Sequence, residues 1–400
     1  MTNRTVNDPE VVGPPSHTRP NKWLAVTAVA ACSFSLVLSE FLPIGLLTDI
    51  ADGLDVSAGT AGLLVVMPGL AATVAAPAAT VLAGRINRRI VLVTLAGLLV
   101  VSNVLAALSP NLSMMLAARI LLGIGSGGFW AFGTSVAPRL VEGVHATRAT
   151  ATVTSGIALG TVASLPLGAF IGNVAGWRYA FSFGAALSLL AVVAQLVLLP
   201  SLPSTGRTTT RTLIAFMRMR EPRTVLIATL LTFLAQFGAY TYLEPYLRDR
   251  ADFSPSSVTL VLLAFGLAGL AGNFAFIRII DASPRYAVIG FLTLTAAAIA
   301  LLPRVAGHAL AAIVLVTLWG SIWGGLPIGL QIFMMRTAGA AAEGGQAMLV
   351  ATLQIGLAAG SALGGVAVDR AGLGVTFTAA AAVALAGAAT VVLRSYRQHH

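Results

Sequence analysis

Apolar residues in this chain gather into long runs that polar residues break only briefly, and the runs have the length of a membrane crossing. With a window of about 19 residues, they fall near 23–47, 58–83, 90–108, 114–136, 150–172, 178–199, 224–247, 257–280, 286–303, 309–334, 345–368 and 375–393. The pattern predicts twelve transmembrane helices and an all-α membrane protein. Residues 200–223 form the longest internal connection, Pro- and Thr-containing with five arginines, and divide the helices into two sets of six. The expected organisation is therefore a polar tail over 1–21, a six-helix bundle over 22–199, a linker over 200–223, a second bundle over 224–393 and a short tail over 394–400. Gly156 and Gly160 in span 5 recur as Gly356 and Gly360 in span 11, the equivalent helix of the second half. A parallel repeat of two bundles with a midplane substrate site is a transporter plan.

Composition strengthens this reading. The chain is 57% apolar and only 10% charged, far from the roughly 25% charged of a soluble domain. Lys and Arg accumulate in cytoplasmic loops. With both termini inside, that side collects Arg4, Arg19, Lys22, Arg85, Arg88, Arg89 and most of the remaining arginines, while the other side holds Arg178, Arg248, Arg250, Arg304 and Arg370. The net charge of +10 is thus explained by topology and anionic lipid contact, and nothing resembles a nucleic-acid-binding surface. The N-terminal residues lack a short apolar core followed by a small-residue cleavage site, so the first helix is expected to be the insertion signal. Cys32 is the only cysteine and lies in that helix, which excludes an intrachain disulfide and fits a small packing residue.

Glu40 is the sharpest candidate for chemistry. It stands in an otherwise uncharged run, about two-thirds of the way across at roughly 1.5 Å per residue, where an ionisable group costs several kcal/mol and marks a proton or substrate path. The alternative is an interfacial helix end. Arg119 in span 4 lies at similar depth and is expected to pair with it, either as a proton-coupling partner or as a static ion pair. Arg119, Gly123, Ser126 and Trp130 share one helix face. Phe233, Gln236 and Tyr240 share a face of span 7, and Trp319 and Trp323 stand four apart in span 10. Aromatic faces and an amide suit a flat polar heterocycle, although core packing explains any one of them equally well.

Other motifs dissolve. Gly123-Ile-Gly-Ser-Gly-Gly128 matches a dinucleotide fingerprint but sits in mid-helix with no preceding strand. His308 has no ligand-spaced neighbours, and Lys22, the only lysine, has no Walker context. No cofactor or metal is expected, and an enzyme is not, since the fourteen carboxylates are scattered, mostly in loops.

The motifs resemble those of the major facilitator superfamily, in its drug:proton antiporter branch. They are Ser39-Glu40-Phe41 with Gly45-Leu-Leu-Thr-Asp-Ile50, Arg119-Ile-Leu-Leu-Gly123, and Pro166-Leu-Gly168 followed by Gly176-Trp-Arg-Tyr-Ala-Phe181. Within that branch the chain is most similar to bacterial purine ribonucleoside efflux pumps and their sugar-exporting relatives, through Thr18-Arg-Pro-Asn21, Gly127-Gly-Phe-Trp130, Gln236-Phe-Gly-Ala-Tyr-Thr-Tyr242 and Ala341-Ala-Glu-Gly-Gly345. The resemblance implies proton-coupled efflux with Glu40 and Arg119 in coupling. It implies Trp130, Phe233, Gln236, Tyr240 and Trp323 at the cargo, and Arg85, Arg88, Arg89, Gly156, Gly160 and Pro166 in the conformational switch. Two departures stand out. In Leu82-Ala-Gly-Arg-Ile-Asn-Arg-Arg89, Gly84 replaces the usual acidic residue and Asn87 the second glycine. Glu244 stands where the nucleoside pumps imply an arginine. The expected protein is a monomeric exporter in the bacterial cytoplasmic membrane, with both termini inside. Its partners are protons, lipid and a small molecule: purine nucleosides first, sugars or drugs as the alternative, with a passive channel more remote.

Overall fold

The computed structural model describes residues 19–82, 86–141, 146–203, 220–338 and 342–396. Most of the linker, the two chain ends and Arg85 lie outside them. Among the described residues, eleven helical stretches are long and apolar enough to cross a membrane. They are Lys22–Leu54, Ala58–Ala76, Arg88–Ala107, Leu112–Trp130, Arg148–Ala175, Trp177–Leu198, Pro222–Asp249, Pro255–Ala275, Pro284–Arg304, Ala309–Ala338 and Met348–Leu393. The last runs 46 residues, roughly 70 Å at about 1.5 Å per residue, more than twice a hydrocarbon core of ~30 Å. Gly372 breaks it, at φ 82°, a conformation that glycine adopts without a Cβ clash. Two crossings result, which makes twelve spans in two six-helix bundles.

Local chemistry sets the helix starts. Asn87, Asn111 and Ser254 each accept a hydrogen bond from a first-turn N–H, and Pro255 follows Ser254 at a position where no N–H is needed. Leu190, Val197, Leu310 and Leu393 are each at least 65% exposed, a surface that water would penalise and that lipid tails accept.

The glycine echo has a structural counterpart. In the first half, span 5 lies on span 1, where a Cβ on Gly156 would strike the Ala30 carbonyl and one on Gly160 would meet Phe34 O at 2.9 Å. In the second half, span 11 lies on span 7, where Gly356 faces Leu230 and Phe233 and Gly360 faces Leu234. Both halves therefore bring the same pair of helices into backbone contact through the same spacing of small residues. Arg88 stacks its guanidinium on Phe132 at 4.2 Å, and Arg89 donates to the Leu196 carbonyl at 2.5 Å. Both of these contacts lie inside the first half.

Candidate transport site

The site begins with two prolines. An α-helical carbonyl accepts from the N–H four residues on, so Pro43 leaves the Ser39 carbonyl without its donor and Pro68 does the same to Leu64. The chain turns from α-helix to a 3-10 turn over Leu42–Leu46, just after Glu40. In lipid such orphaned acceptors need an internal partner. Arg119, 1% exposed, supplies it: Nε donates to Leu64 O at 2.9 Å, Nη1 to Ser39 O at 2.7 Å and Nη2 to Glu40 O at 2.8 Å. The expected ion pair with the Glu40 carboxylate does not form. The two groups stay close enough to couple electrostatically, but the guanidinium fork is committed to the backbone of spans 1 and 2.

The Glu40 carboxyl itself hydrogen-bonds a neutral side chain, with the Arg119 charge nearby but not paired to it. It is 5% exposed, accepts from Ser126 Oγ at 3.5 Å in the first half and lies near the side chain of Gln354 of span 11. It therefore sits on the seam between the bundles. Ser126 lies on the face of span 4 that carries Arg119. Gln354 was not singled out in the sequence, because an amide in an apolar run carries no signal of where it points.

Next to Glu40, Phe41 stacks on Phe237 across the seam, ring centroids 5.8 Å apart. Phe237 opens onto a cluster from the second half: Phe233 at 6.1 Å, Tyr240 at 6.0 Å and Trp323 at 6.2 Å. Phe233 also meets Trp323 edge-on at 5.2 Å, and Tyr240 meets Phe265 and Trp319 at 4.9 and 6.1 Å. Trp319 Nε1 donates to Gln236 Oε1 at 2.8 Å. Four of the five expected cargo residues, Phe233, Gln236, Tyr240 and Trp323, thus come together. Trp130 does not join them; it packs against the first half's own core. Phe41, Phe237 and Phe265 were not named in advance, although Phe41 and Phe237 flank Glu40 and Gln236 directly.

Bonds between the halves concentrate at the face opposite the chain termini. Glu244, fully buried, accepts from Thr48 N at 3.0 Å and Thr48 Oγ1 at 2.8 Å, and pairs with Arg248 at 2.7 Å. Arg248 in turn pairs with Asp49 at 2.7 Å. Asp369 accepts from Ser57 Oγ at 2.7 Å and Gly59 N at 3.1 Å, and Asn173 Nδ2 donates to Pro255 O at 3.0 Å. Two carboxylates of the second half therefore cap helix starts of the first, with the favourable polarity of an anion at a helix N-terminus. Toward the termini the picture reverses: a cleft of about 840 Å³ separates spans 5 and 8, lined by Thr150, Thr154, Ala158, Leu270, Asn273 and Phe274. The molecule is latched on one face and cleft on the other. Pro166 serves this seam too. It has no N–H for the Val162 carbonyl, and Gly266 of span 8 lies against that carbonyl, where a Cβ would sit at 2.8 Å.

Comparison with known proteins agrees with this architecture. The family model for the Major Facilitator Superfamily matches residues 29–353. A protein named transcription regulatory protein OpdE from Pseudomonas aeruginosa is 35% identical over 379 residues, covering 93% of each chain. The purine ribonucleoside efflux pump NepI of Escherichia coli O6:H1 is 32% identical over 358 residues, 89% of this chain and 90% of that one. Among solved structures, a bacterial homologue of the human lysosomal transporter Spinster, inward-facing and occupied, superposes with a TM-score of 0.76 at 13% identity, covering 95% of this chain and 98% of that one. The human organic anion transporter MFSD10 gives 0.67 at 17% identity, covering 94% and 100%.

Proposed function

The chain belongs to the Major Facilitator Superfamily, and from that premise we propose that this membrane transporter exports small polar heterocycles, purine ribonucleosides first, in exchange for protons. One observation carries the reading: the Glu40 carboxyl is buried at the seam of the two bundles with Ser126 on one side and Gln354 on the other, and no ion pair holds it. A carboxyl with neutral partners can be charged or neutral as the seam opens and closes, since hydration favours its anion and burial its acid. The Phe41–Phe237 stack beside it joins proton site and aromatic cluster in one place, so cargo that parts the rings also changes the surroundings of Glu40. The latched face bars the outside while the opposite cleft admits cargo, and rocking the bundles reverses the two. We place the two bundles at residues 22–199 and 224–393, with both termini on the cytoplasmic side of a bacterial inner membrane, working as a monomer.

The purine assignment draws support from the 32% identical nucleoside pump and from the ring cluster with its amide. A carrier that sets the level of an inducer would also produce a regulatory phenotype, which accommodates the name of the 35% identical relative. The test is transport in proteoliposomes with labelled inosine. Glu40→Gln keeps size and hydrogen bonding but cannot titrate, so inosine exchange should persist while accumulation driven by a pH gradient disappears. Accumulation by Glu40→Gln in proportion to ΔpH would exclude Glu40 as the coupling group. Absence of inosine exchange in the wild type, with arabinose or a drug exchanged instead, would move the cargo to sugars or drugs.

A further inference from the structure

We propose that Gln236 is a hydrogen-bond donor of fixed sense toward the cargo, and that Trp319 is the residue that fixes it, so the site selects flat heterocycles presenting an acceptor edge. This rests on the exporter reading above for the presence of cargo among the rings. An amide normally offers both an acceptor and a donor and can turn end for end. An indole N–H only donates. With Trp319 Nε1 at 2.8 Å from Oε1, the oxygen must face the indole and the amide nitrogen must face away from it. Trp319 has no freedom to release it: the ring is fully buried and held edge-on by Tyr240 at 6.1 Å and Phe265 at 5.5 Å.

The nitrogen that remains has no use inside the protein. Gln236 is 1% exposed, and its Nε2 has no hydrogen-bond partner among the described residues. A buried unpaired donor is unfavourable and calls for a partner. The neighbours on its helix state what kind. Phe233, Phe237 and Tyr240, at three before, one after and four after, all belong to the ring cluster, and Phe237 is the ring that Phe41 covers from the other bundle. Cargo entering between the halves therefore meets ring faces and one N–H pair, with no acceptor from this amide to match a cargo donor. A ring nitrogen or ring carbonyl satisfies that pair. A saturated sugar can offer hydroxyl oxygens to the amide but has no flat π face to stack between the rings.

The experiment measures binding by calorimetry to the whole protein in nanodiscs, with inosine, 7-deazainosine (lacking N7) and nebularine (lacking the 6-oxo group) as probes. Wild type should bind one of the two analogues at least tenfold more weakly than inosine. In Gln236→Leu, inosine should weaken about tenfold, to the level of that analogue, while the analogue itself is unchanged. Trp319→Phe keeps an aromatic ring but frees the amide to turn, so the inosine-to-analogue ratio should shrink below threefold. A loss of packing alone would weaken both ligands equally and leave the ratio intact. If wild type binds inosine and neither variant alters the ratio, the donor assignment is wrong and the exporter reading stands. If wild type binds no purine nucleoside, both are wrong.

Discussion

Arg119→Ala should unfold the first bundle more readily, because the guanidinium is a backbone support before it is anything else. Its three hydrogen bonds reach carbonyls at 2.7, 2.8 and 2.9 Å, and two of those carbonyls have prolines where their helical donors belong. A hydrogen bond to a charged group contributes about 1.5–3 kcal/mol. Even at the lower figure, losing three costs about 4.5 kcal/mol, a large share of the ~5–15 kcal/mol that holds a fold together. The assay is unfolding in mixed micelles by SDS titration, followed by tryptophan fluorescence. Pro68→Ala tests the cause, since it gives the Leu64 carbonyl its own N–H and makes one of the three bonds redundant. The double variant should then lose less than the single effects combined, by about 1 kcal/mol, whereas Pro166→Ala should show no such coupling. Arg119→Lys should rescue little, because a compact ammonium cannot span carbonyls on two helices. The reasoning fails if Arg119→Ala lies within 1 kcal/mol of wild type, or if Arg119→Lys matches wild type. Either result would return the arginine to a purely electrostatic role toward Glu40.

Two further outcomes follow from the geometry. Arg248→Ala leaves Glu244 buried without its cation, and stranding one partner of a buried pair costs about 3–5 kcal/mol; the latched face should therefore spend far more time open. In a Cys32→Ala background, a cysteine at Ile44, fully buried when latched, should react at least tenfold faster with an impermeant maleimide, and an unchanged rate would sink the latch. Trp130→Ala should cost about 2 kcal/mol in the first-half core and leave the ratio of inosine to arabinose transport alone, while Tyr240→Ala should lower that ratio; equal losses from both would put Trp130 back at the cargo.

The hydrophobic runs disclosed the twelve spans because crossing length is a one-dimensional property, read without knowing what touches what. The Gly156/Gly160 and Gly356/Gly360 echo went one step further, since small residues at helical spacing mark where backbones meet; it did not say which helix each pair would meet. The latch on the face opposite the chain termini was less legible. Thr48, Asn173 and Ser57 are ordinary loop-edge residues in sequence, and only the assembled bundles bring them to Glu244, Arg248 and Asp369, which lie 75 or more positions away.

The surroundings of Glu40 and Arg119 show why a pair of charges at equal depth misleads. Opposite charges in lipid invite an ion pair, yet an arginine has five donors and answers to every acceptor nearby. Pro43 and Pro68 leave carbonyls that water cannot reach, and an unmet backbone acceptor in hydrocarbon costs several kcal/mol. A carboxyl has another recourse: it takes a proton. The arginine therefore goes to the groups that cannot neutralise themselves, and the acid is left to the one that can. Both prolines were visible in the sequence four residues after the carbonyls they orphan, which is the signal that could have foretold the arrangement. Its consequence for transport is direct. A salt-bridged Glu40 would be pinned in the charged form through the cycle, whereas one facing Ser126 and Gln354 can respond to the opening of the seam. The same proline that turns span 1 after Glu40 thus engages Arg119 with the backbone, and in the exchange proposed above it leaves the carboxylate without an ion-pair partner when the proton arrives.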